Sequence, residues 1–425
     1  MLGFRKIAII FFFLLPHSSL LYADGVILIK GTQPVQNQIK NKNTVYEVRS
    51  TIDLKGESIT IPENCVLKFE GGSLKNGTIS YNNTYIEGRY NIQCVCKGIV
   101  ANDIVEPHMY GARGDGKTDD SFAIQQAINS GKQVFFRRTT YLTSKPIIFD
   151  KRELIVDFNH STIKKIGNTC YNYAFEEFDF SKIASVIIIK PIASPNTNGF
   201  MTIKNLVIDG GGQNIGIHAV WCRNVILENV RIYNAKKGVI YKGFVNTFKD
   251  LTIWNCKEGI DILGGNATLF ERCFTSNCGW RINNVQGFSL VCCSSDDYNP
   301  CYEINNSSVS LVGCTCESKG LGFLIKESTV DISGGDFQTH IYDSTKELIY
   351  LKCSDNSIIT ANSCYFHLNN YLNKKVPQNS IFEVSNNSKV TINGRVEHST
   401  GINLTLKEKS SLFFNGKYLS NGINK

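Results

Sequence analysis

The sequence lacks features that would place it in several common functional classes. Beyond residues 1–15 it has no apolar run long enough to cross a bilayer, and no block of Lys and Arg stands out. None of its 15 cysteines forms a Cys-x-x-Cys pair, and no local set of ligands suits zinc. We therefore expect no membrane span, no nucleic acid partner and no metal site of this kind.

Residues 1–23 predict a secretory signal peptide. Arg5 and Lys6 precede a continuous apolar run, residues 7–15, and Ala23 lies at the expected cleavage position. No cysteine follows within reach of the cut, which argues against a lipid anchor. We expect a mature protein that is secreted, periplasmic or on the cell surface. Removing Arg5 and Lys6 lowers the formal net charge from +8 to +6 (8 − 2), a balance compatible with an anionic polysaccharide.

The middle of the chain repeats with a period of about 21 residues, a length typical of solenoid repeats. The repeat is read from an anchor position, whose successive steps along the chain are 21, 22, 20, 21 and 21. The anchors are Val230, Leu251, Cys273, Cys293, Cys314 and Gly335. Leu206 lies 24 positions before the first anchor, and the segments SKVTINGRVEH and SSLFFNGKYL fit as late repeats. A period that survives five steps indicates stacked coils.

Side chains around each anchor alternate between apolar and polar. Apolar or small residues occupy the positions three before and two after the anchor, so we expect these positions to point inward. Four after it come Asn234, Asn255, Asn277 and Asp297, a ladder that suits stacked turns because amides can bond to copies one strand above and below. The pattern predicts an all-β parallel β-helix, with no helices alternating between its strands.

The cysteines follow the same repeat. Cys273, Cys293 and Cys314 are successive anchors, so we interpret them as small apolar side chains stacked in the interior. A few disulfides are the alternative, and metal ligation is a third. Ahead of the repeat, residues 24–108 read as short strands broken by Gly and Asn turns. We predict three regions, a signal peptide (1–23), a β-rich capping region (24–108) and the β-helix (109–425).

Between the capping region and the repeat lies MYGARGDGKTDDSFAIQQAINSGKQVFF, with three glycines for a tight loop, then a helix and a strand. Asp119 or Asp120 can cap this helix, which Gly131 closes. The helix's predicted apolar face is Ala123, Ile124, Ala127 and Ile128. The part YGARGDGKTDDSFAIQQAI resembles the opening motif of the pectate-lyase-like superfamily, as found in polygalacturonase- and rhamnogalacturonase-like proteins. The resemblance implies a single-stranded right-handed parallel β-helix with one short helix, and polysaccharide as the partner.

The chain departs from the polygalacturonase branch of that superfamily. Its catalytic motifs are not found together, since Asn198 stands where an acid would be expected and His218 is isolated. We interpret His218 as structural, and Asp115, Asp119 and Asp120 as loop and cap residues. The signature also occurs in phage tailspike depolymerases, which the predicted signal peptide disfavours.

The coil register predicts candidate site residues independently of the resemblance, because residues one and three past each anchor face outward. The outward acids Asp296 and Glu317 would be vertical neighbours, with Asp336 on the next rung, and we predict these three as catalytic. We predict Arg231, Tyr233, Trp254 and Phe274 as substrate-binding residues. A solvated polar face is the alternative interpretation.

The predicted function is a polysaccharide lyase or a glycoside hydrolase, and the alternative is a non-catalytic glycan-binding or surface scaffold protein. No cofactor is predicted for the hydrolase. A lyase would use the acids as Ca²⁺ ligands and take Arg231, Lys236 or Lys237 as its proton acceptor.

Overall fold

The computed structural model describes residues 25–151, 153–175, 177–190, 200–340, 348–369, 382–397 and 404–420. The predicted signal peptide and Asn198 lie outside these residues. The chain divides into two compact units, residues 1–102 and 103–425. No helix among the described residues has the length and apolar character needed to cross a membrane.

The first unit contains two four-stranded parallel sheets, of order β1-β2-β5-β7 and β3-β6-β4 with β8 paired to β6. Its strands are β1 (Gly25–Leu28), β2 (Thr44–Val48), β3 (Thr51–Asp53), β4 (Ser58–Thr60), β5 (Val66–Phe69), β6 (Ser73–Ser80), β7 (Tyr85–Gly88) and β8 (Ile92–Lys97). A 3-10 helix covers Val35–Gln38. The predicted short strands are present, and they form two sheets.

The second unit is a right-handed parallel β-helix. Its elements are a 3-10 helix (Pro107–Tyr110), β9 (Asp115–Asp119), α1 (Ser121–Ser130), β10 (Gln133–Phe135), β11 (Thr140–Thr143), β12 (Ile147–Phe149), β13 (Leu154–Lys165), β14 (Ala174–Phe175), β15 (Phe178–Asp179), β16 (Ser185–Ile189), β17 (Met201–Asp209), β18 (Ile215–Arg223), β19 (Val225–Tyr233), β20 (Lys237–Phe244), β21 (Thr247–Trp254), β22 (Glu258–Asn266), β23 (Leu269–Glu271), β24 (Phe274–Ser276), β25 (Trp280–Asn283), β26 (Val285–Gln286), β27 (Phe288–Val291), β28 (Ser294–Tyr298), β29 (Tyr302–Asn305), β30 (Ser308–Ser318), β31 (Leu321–Lys326), β32 (Thr329–His340), β33 (Ile349–Ser354), β34 (Ile358–Asn369), β35 (Phe382–Val384), β36 (Lys389–Glu397), β37 (Leu404–Leu406), β38 (Ser411–Phe414) and β39 (Lys417–Ser420).

Two sheets run along this unit. The first sheet contains the strands that carry the anchors, from β9 to β39, and the second contains β12, β16, β18, β20, β22, β25, β26, β29, β31, β33, β35 and β37. Each coil places one segment in each sheet, so equivalent residues of successive coils pair in parallel. The exceptions are two antiparallel pairs, β14 with β15 and β38 with β39, so the segment SSLFFNGKYL ends as a hairpin.

The observed register confirms the period read from the sequence. Leu206 pairs with Val230, Val230 with Leu251, and Cys314 with Gly335. The inward positions on either side of the anchors are buried, from Leu227 to Phe337. Apolar side chains therefore stack into one continuous core, which accounts for the fold.

Left-handed residues turn the chain at the corners. Asn205 and Asn229 (φ 57° and 52°) bend the strands of the first sheet, and the Asn229 amide donates to Asn205 Oδ1 over 2.8 Å. The predicted ladder at Asn234, Asn255, Asn277 and Asp297 also has positive φ, from 51° to 59°. There Asn234 donates to Asp209 Oδ1 over 2.8 Å. Amides thus bridge neighbouring rungs at both positions, with an amide-to-amide contact between Asn229 and Asn205 and an amide-to-carboxylate contact between Asn234 and Asp209.

The cysteines are mostly interior, as predicted. All but Cys170 and Cys292 are buried, and no disulfide joins any of the 15, which all lie in described parts of the chain. Burial raises the pKa of the Cys222 thiol to about 12, which keeps it in the uncharged form that an apolar core tolerates.

Candidate functional site

The predicted site residues lie on one outward face of the first sheet, in the second half of its strands. We call this face the outer strip, and it consists of two columns of side chains paired rung by rung. The first column is Tyr233, Trp254, Ser276, Asp296, Glu317, Gln338 and His367. The second is Arg231, Thr252, Phe274, Ser294, Thr315, Asp336, Tyr365 and Arg395.

The early rungs of the outer strip are aromatic. The rings of Tyr233 and Trp254 stack on each other, with centroids 5.2 Å apart and planes at 18°. Their facing surfaces are therefore covered, and their remaining edges and faces are left for a ligand. Phe274 lies in the second column, directly above Thr252, and Arg231 is exposed one rung below Thr252. The structure thus brings the four predicted binding residues onto neighbouring rungs.

The later rungs of the outer strip are acidic. Asp296 and Glu317 are direct partners on adjacent rungs, as predicted. Asp336 lies on the next rung in the second column, where it pairs with Thr315. Adjacent strands in a sheet are about 4.8 Å apart, which sets the spacing of the first two backbones. The three predicted acids therefore form one patch that spans three rungs.

The environment of Asp296 favours a protonated carboxyl group. Burial raises the pKa of Asp296, and the negative charges of Glu317 and Asp297 add to this. A hydrogen bond from Ser294 Oγ to Asp296 Oδ1, 2.8 Å long, acts in the opposite direction without cancelling the rise in pKa. Glu317 is more open, with 44% of its side chain exposed. Two neighbouring carboxyl groups thus have unequal environments, which is what separates an acid from a base.

Two histidines complete the acidic end of the outer strip, and the sequence interpretation missed both. His340 Nε2 lies 3.5 Å from Glu317 Oε2, and the histidine side chain is only 9% exposed. His367 Nδ1 lies 3.1 Å from Asp336 Oδ1, and its ring stacks on Tyr365 with centroids 4.4 Å apart. His367 occupies the position three past Cys364, so only an alignment that allowed a longer step after Gly335 would have found it. His340 lies at the end of β32, and no position of the sequence repeat predicts it.

The buried part of this patch makes a prediction about stability. Because the pKa of Asp296 is raised in the folded state, ionising this group destabilises the fold as pH rises through that pKa. We therefore expect Asp296→Asn to raise the melting temperature, relative to the parent protein, more at pH 7 than at pH 3. Thermal unfolding at both pH values measures this difference. Asp331→Asn, at an exposed acid of the same sheet, is the control. An equal shift in both variants would contradict the prediction.

The aspartates of the opening motif have structural roles. Asp120 accepts hydrogen bonds from the backbone N–H groups of Arg113 and Gly114, at 2.7 and 3.0 Å. The Asp119 side chain accepts a hydrogen bond from Ser121 N at 3.0 Å. Of the two candidate caps, Asp119 is therefore the one whose side chain bonds to the first turn of α1. The predicted helix face, Ala123, Ile124, Ala127 and Ile128, is buried. These contacts fit the interpretation of the motif as loop and cap.

His218 lies in β18 of the second sheet, whereas the outer strip lies on the first sheet. It is buried against the ring of Phe180, with centroids 4.5 Å apart, and burial lowers its pKa to about 4. Neither ring nitrogen has a hydrogen-bond partner among the described residues. It is therefore an apolar-packed structural residue, as interpreted, but its ring nitrogens do not form the hydrogen bonds expected of a satisfied structural histidine.

Two observations bear on the lyase alternative. Salt bridges to Asp261 and Glu258 outweigh the desolvation of Lys237 and raise its pKa, so this lysine keeps its proton and is poorly suited as a base. Within the described parts of the chain, no group of three or more His, Cys, Asp or Glu side chains could hold a metal ion. Calcium stays a prediction of the lyase alternative.

Comparison with known proteins agrees with this architecture. Residues 105–303, 199 of the 425 residues, match the family described as "Rhamnogalacturonase A/epimerase, pectate lyase-like". Over this segment the chain is pectate-lyase-like, as the opening motif predicted. The matched segment contains the opening motif and Asp296, whereas Glu317, Asp336 and both histidines of the outer strip lie beyond it.

Solved structures similar to this chain include two phage tailspikes. The gp42 tailspike of Acinetobacter phage vb_AbaP_AS12 has a TM-score of 0.59 at 14% identity, covering 76% of this chain and 64% of that one. The enzymatically active domain of tailspike protein 2 of bacteriophage CBA120 has a TM-score of 0.58 at 18% identity, covering 74% of this chain and 52% of that one. The chain thus spans less than two thirds of either tailspike structure.

A third similar structure is endo-xylogalacturonan hydrolase from Aspergillus tubingensis, with a TM-score of 0.49 at 13% identity, covering 73% of this chain and 95% of that one. At such identities the likeness concerns the fold alone. No curated protein sequence matches the chain.

Proposed function

We propose that this pectate-lyase-like protein is exported and cleaves glycosidic bonds of a polysaccharide by hydrolysis at the outer strip. The observation that carries the proposal is the pair Asp296 and Glu317 on adjacent rungs, in which burial raises the pKa of Asp296 and the Glu317 side chain is 44% exposed. The family description, which names a rhamnogalacturonase and an epimerase, supports a glycan as substrate, and the tailspike domain described as enzymatically active supports a catalytic role.

In the proposed mechanism Asp296 is the general acid. Its protonated carboxyl group donates its proton to the glycosidic oxygen as the bond to the anomeric carbon breaks. Glu317 attacks the anomeric carbon and forms a covalent glycosyl intermediate, which water then hydrolyses with Asp296 as base. Retaining glycosidases place their two carboxyl groups about 5 to 5.5 Å apart, a separation that neighbouring rungs can supply. Inverting enzymes need a wider gap for water.

The remaining residues of the outer strip bind the sugar chain. Tyr233, Trp254 and Phe274 offer apolar surface to sugar rings on the rungs before the acids. Asp336 stays a predicted catalytic residue, and His367 Nδ1 lies 3.1 Å from its Oδ1. Because the columns run along the β-helix, a long polymer can contact several rungs at once. Arg231, which is exposed, gives the outer strip a positive charge at its aromatic end.

A product assay on the full mature chain tests the proposal. We expect incubation with a panel of plant, bacterial and host polysaccharides, polyuronates and rhamnogalacturonan included, to release new reducing ends without ultraviolet-absorbing unsaturated products. Unsaturated products would show a lyase instead. Saturable binding without any product across the panel would favour the glycan-binding scaffold, which the absence of the assembled polygalacturonase motifs supports. Either of these results would overturn the proposal that the protein is a hydrolase.

A further inference from the structure

A cavity lies beside α1, and we call it the α1 cavity. Its volume of about 460 Å³ falls within the about 300 to 1,000 Å³ of most small-molecule sites. Three segments line it, namely one face of α1, residues 145–150 around β12, and residues 169–171. β12 belongs to the second sheet, whereas the outer strip lies on the first sheet. The α1 cavity is therefore separate from the proposed catalytic residues.

Apolar side chains form much of the wall of the α1 cavity. Phe122 lines it from α1 and is 46% exposed, so its ring is open to a ligand. Pro146 and Ile148 line it from the segment around β12, and the half-buried Tyr171 lines it from the third segment. Two aromatic rings from separate segments thus border one space, which suits a flat apolar ligand.

The polar side chains of this wall are already engaged with the protein. Gln125 accepts a hydrogen bond from Ile148 N at 2.8 Å, and its amide donates to Ile148 O and to Asn129 Oδ1, both at 2.9 Å. Ser121 Oγ accepts from two backbone N–H groups, at 2.9 and 3.1 Å. A ligand with many hydroxyl groups would find few free partners here, so the lining favours a ligand with an apolar body.

The charges at the α1 cavity are unbalanced. Asp150 is compensated, because Lys190 Nζ lies 3.8 Å from its Oδ2. The same ammonium group donates to the Tyr171 hydroxyl group over 3.3 Å. Lys145, in contrast, is exposed and forms no ion pair with any residue that the structure describes. The wall thus presents one uncompensated positive charge, which attracts an anion.

A buried lysine behind the wall adds to this positive charge. Lys165 is only 2% exposed, and its Nζ donates to the carbonyl oxygens of Ser144 at 2.6 Å and of Thr169, a lining residue, at 3.5 Å. Burial lowers the pKa of Lys165 to about 8, so the side chain is mostly protonated at pH 7. Asp119 offsets this effect in part, but neither it nor any other described carboxylate forms a salt bridge with Lys165. An anion nearby therefore lowers the cost of burying this charge.

These observations select among ligands. We propose that the α1 cavity binds a small aromatic carboxylate, with its ring beside Phe122 and Tyr171 and its carboxylate group beside Lys145. A cation would be repelled by Lys145 and would find Asp150 already paired. A ligand rich in hydroxyl groups would lack free hydrogen-bond partners. The site does not depend on the proposed hydrolase, because it shares no residue with the outer strip.

Titration calorimetry on the full mature chain tests the ligand class. The probes are benzoate, cinnamate and 2-naphthoate, each with its neutral primary amide, and cyclohexanecarboxylate as the non-aromatic counterpart of benzoate. We expect at least one aromatic carboxylate to bind saturably and about fivefold more tightly than its amide, because the amide loses the attraction to Lys145. Raising the salt concentration should weaken binding of the carboxylate more than binding of the amide.

Two substitutions test the lining residues, each with a matched control. Lys145→Gln should remove the preference for carboxylate over amide, whereas Lys164→Gln, at an exposed lysine outside the cavity, should keep it. Phe122→Ala should weaken binding by about 10-fold, because a ring contact is lost. Phe135→Ala removes another exposed ring that does not line the cavity, and should leave binding unchanged.

A footprint on the unaltered protein locates the ligand even where a variant fails to fold. Cys170 lines the α1 cavity and is half-buried, Cys292 is exposed outside it, and the other cysteines are buried. A saturating aromatic carboxylate should slow the alkylation of Cys170 by iodoacetamide, measured by mass spectrometry, and leave that of Cys292 unchanged.

Several results would overturn the proposal. One is the lack of saturable binding by any aromatic carboxylate. Another is binding of the amides, or of cyclohexanecarboxylate in place of benzoate, that is as tight as binding of the aromatic acids. Unchanged binding in both Lys145→Gln and Phe122→Ala, or unchanged alkylation of Cys170, would show that the ligand lies elsewhere.

Discussion

Replacing Glu317 with Gln is expected to lower the rate of polysaccharide cleavage at least about 100-fold, the scale at which positioned catalytic carboxyl groups act. The amide keeps the size of the side chain and its place beside Asp296, but it cannot attack an anomeric carbon. Initial rates of reducing-end release, on a polysaccharide that the parent protein cleaves, measure the loss. Proton NMR of the first product adds a second readout, because a covalent intermediate predicts retention of the anomeric configuration.

The control for this variant is Glu327→Gln. Glu327 is an exposed acid at a corner between two strands, so its replacement should leave the rate unchanged. Folding of both variants is compared by circular dichroism, since Glu317 is itself 44% exposed and should not be needed for the core. A parent-like rate for Glu317→Gln would remove this residue from the mechanism. A product with inverted anomeric configuration would assign Asp296 and Glu317 to a different mechanism.

Removing the ring of Phe270 is expected to cost about 3 to 5 kcal/mol of unfolding free energy, the range seen when a buried aromatic residue becomes alanine. Phe270 is fully buried, stacks on Phe248 with centroids 4.5 Å apart and meets Trp280 edge-on at 5.3 Å. These three residues come from successive coils and from both sheets. Phe270→Ala therefore leaves a cavity where neighbouring coils contact each other, and urea unfolding followed by circular dichroism measures the loss.

Val312→Ala is the comparison for the core variant. Val312 belongs to the same sheet but is 41% exposed, and a surface change of this kind is expected to alter the unfolding free energy by less than about 0.5 kcal/mol. Equal effects of the two substitutions would contradict a core built by stacking across coils. The contrast also tests the register, because a shift by one residue would exchange inward and outward positions.

The coil register explains why so much of the fold could be predicted. Each coil contacts mainly the coils before and after it, so the same local pattern repeats and a single alignment of the chain with itself predicts every inward position. Leu227, Phe248 and Phe270 were predicted to face inward, and all three are fully buried. The vertical pairing of Asp296 with Glu317 follows from the same arithmetic.

The prediction became incomplete where the period changed. Between Gly335 and its partner Cys364 the step along the chain lengthens to 29 (364 − 335), so counting by the earlier period fails there. His367 was missed for that reason, although it lies in the first column of the outer strip. His340 was missed for a different reason, because it follows the repeat positions and reaches Glu317 only through the path of its own strand.

The sequence by itself therefore determined the stacked-coil architecture, the inward core, and the face on which Asp296, Glu317 and the aromatic residues lie. Periodicity suffices for these features because each depends on local spacing. Only the tertiary structure decided the burial that raises the pKa of Asp296, the approach of His340 to Glu317, and the ion pairs of Lys237 with Asp261 and Glu258. Desolvation and ion pairing depend on distances between side chains of separate coils and sheets, which no local pattern specifies.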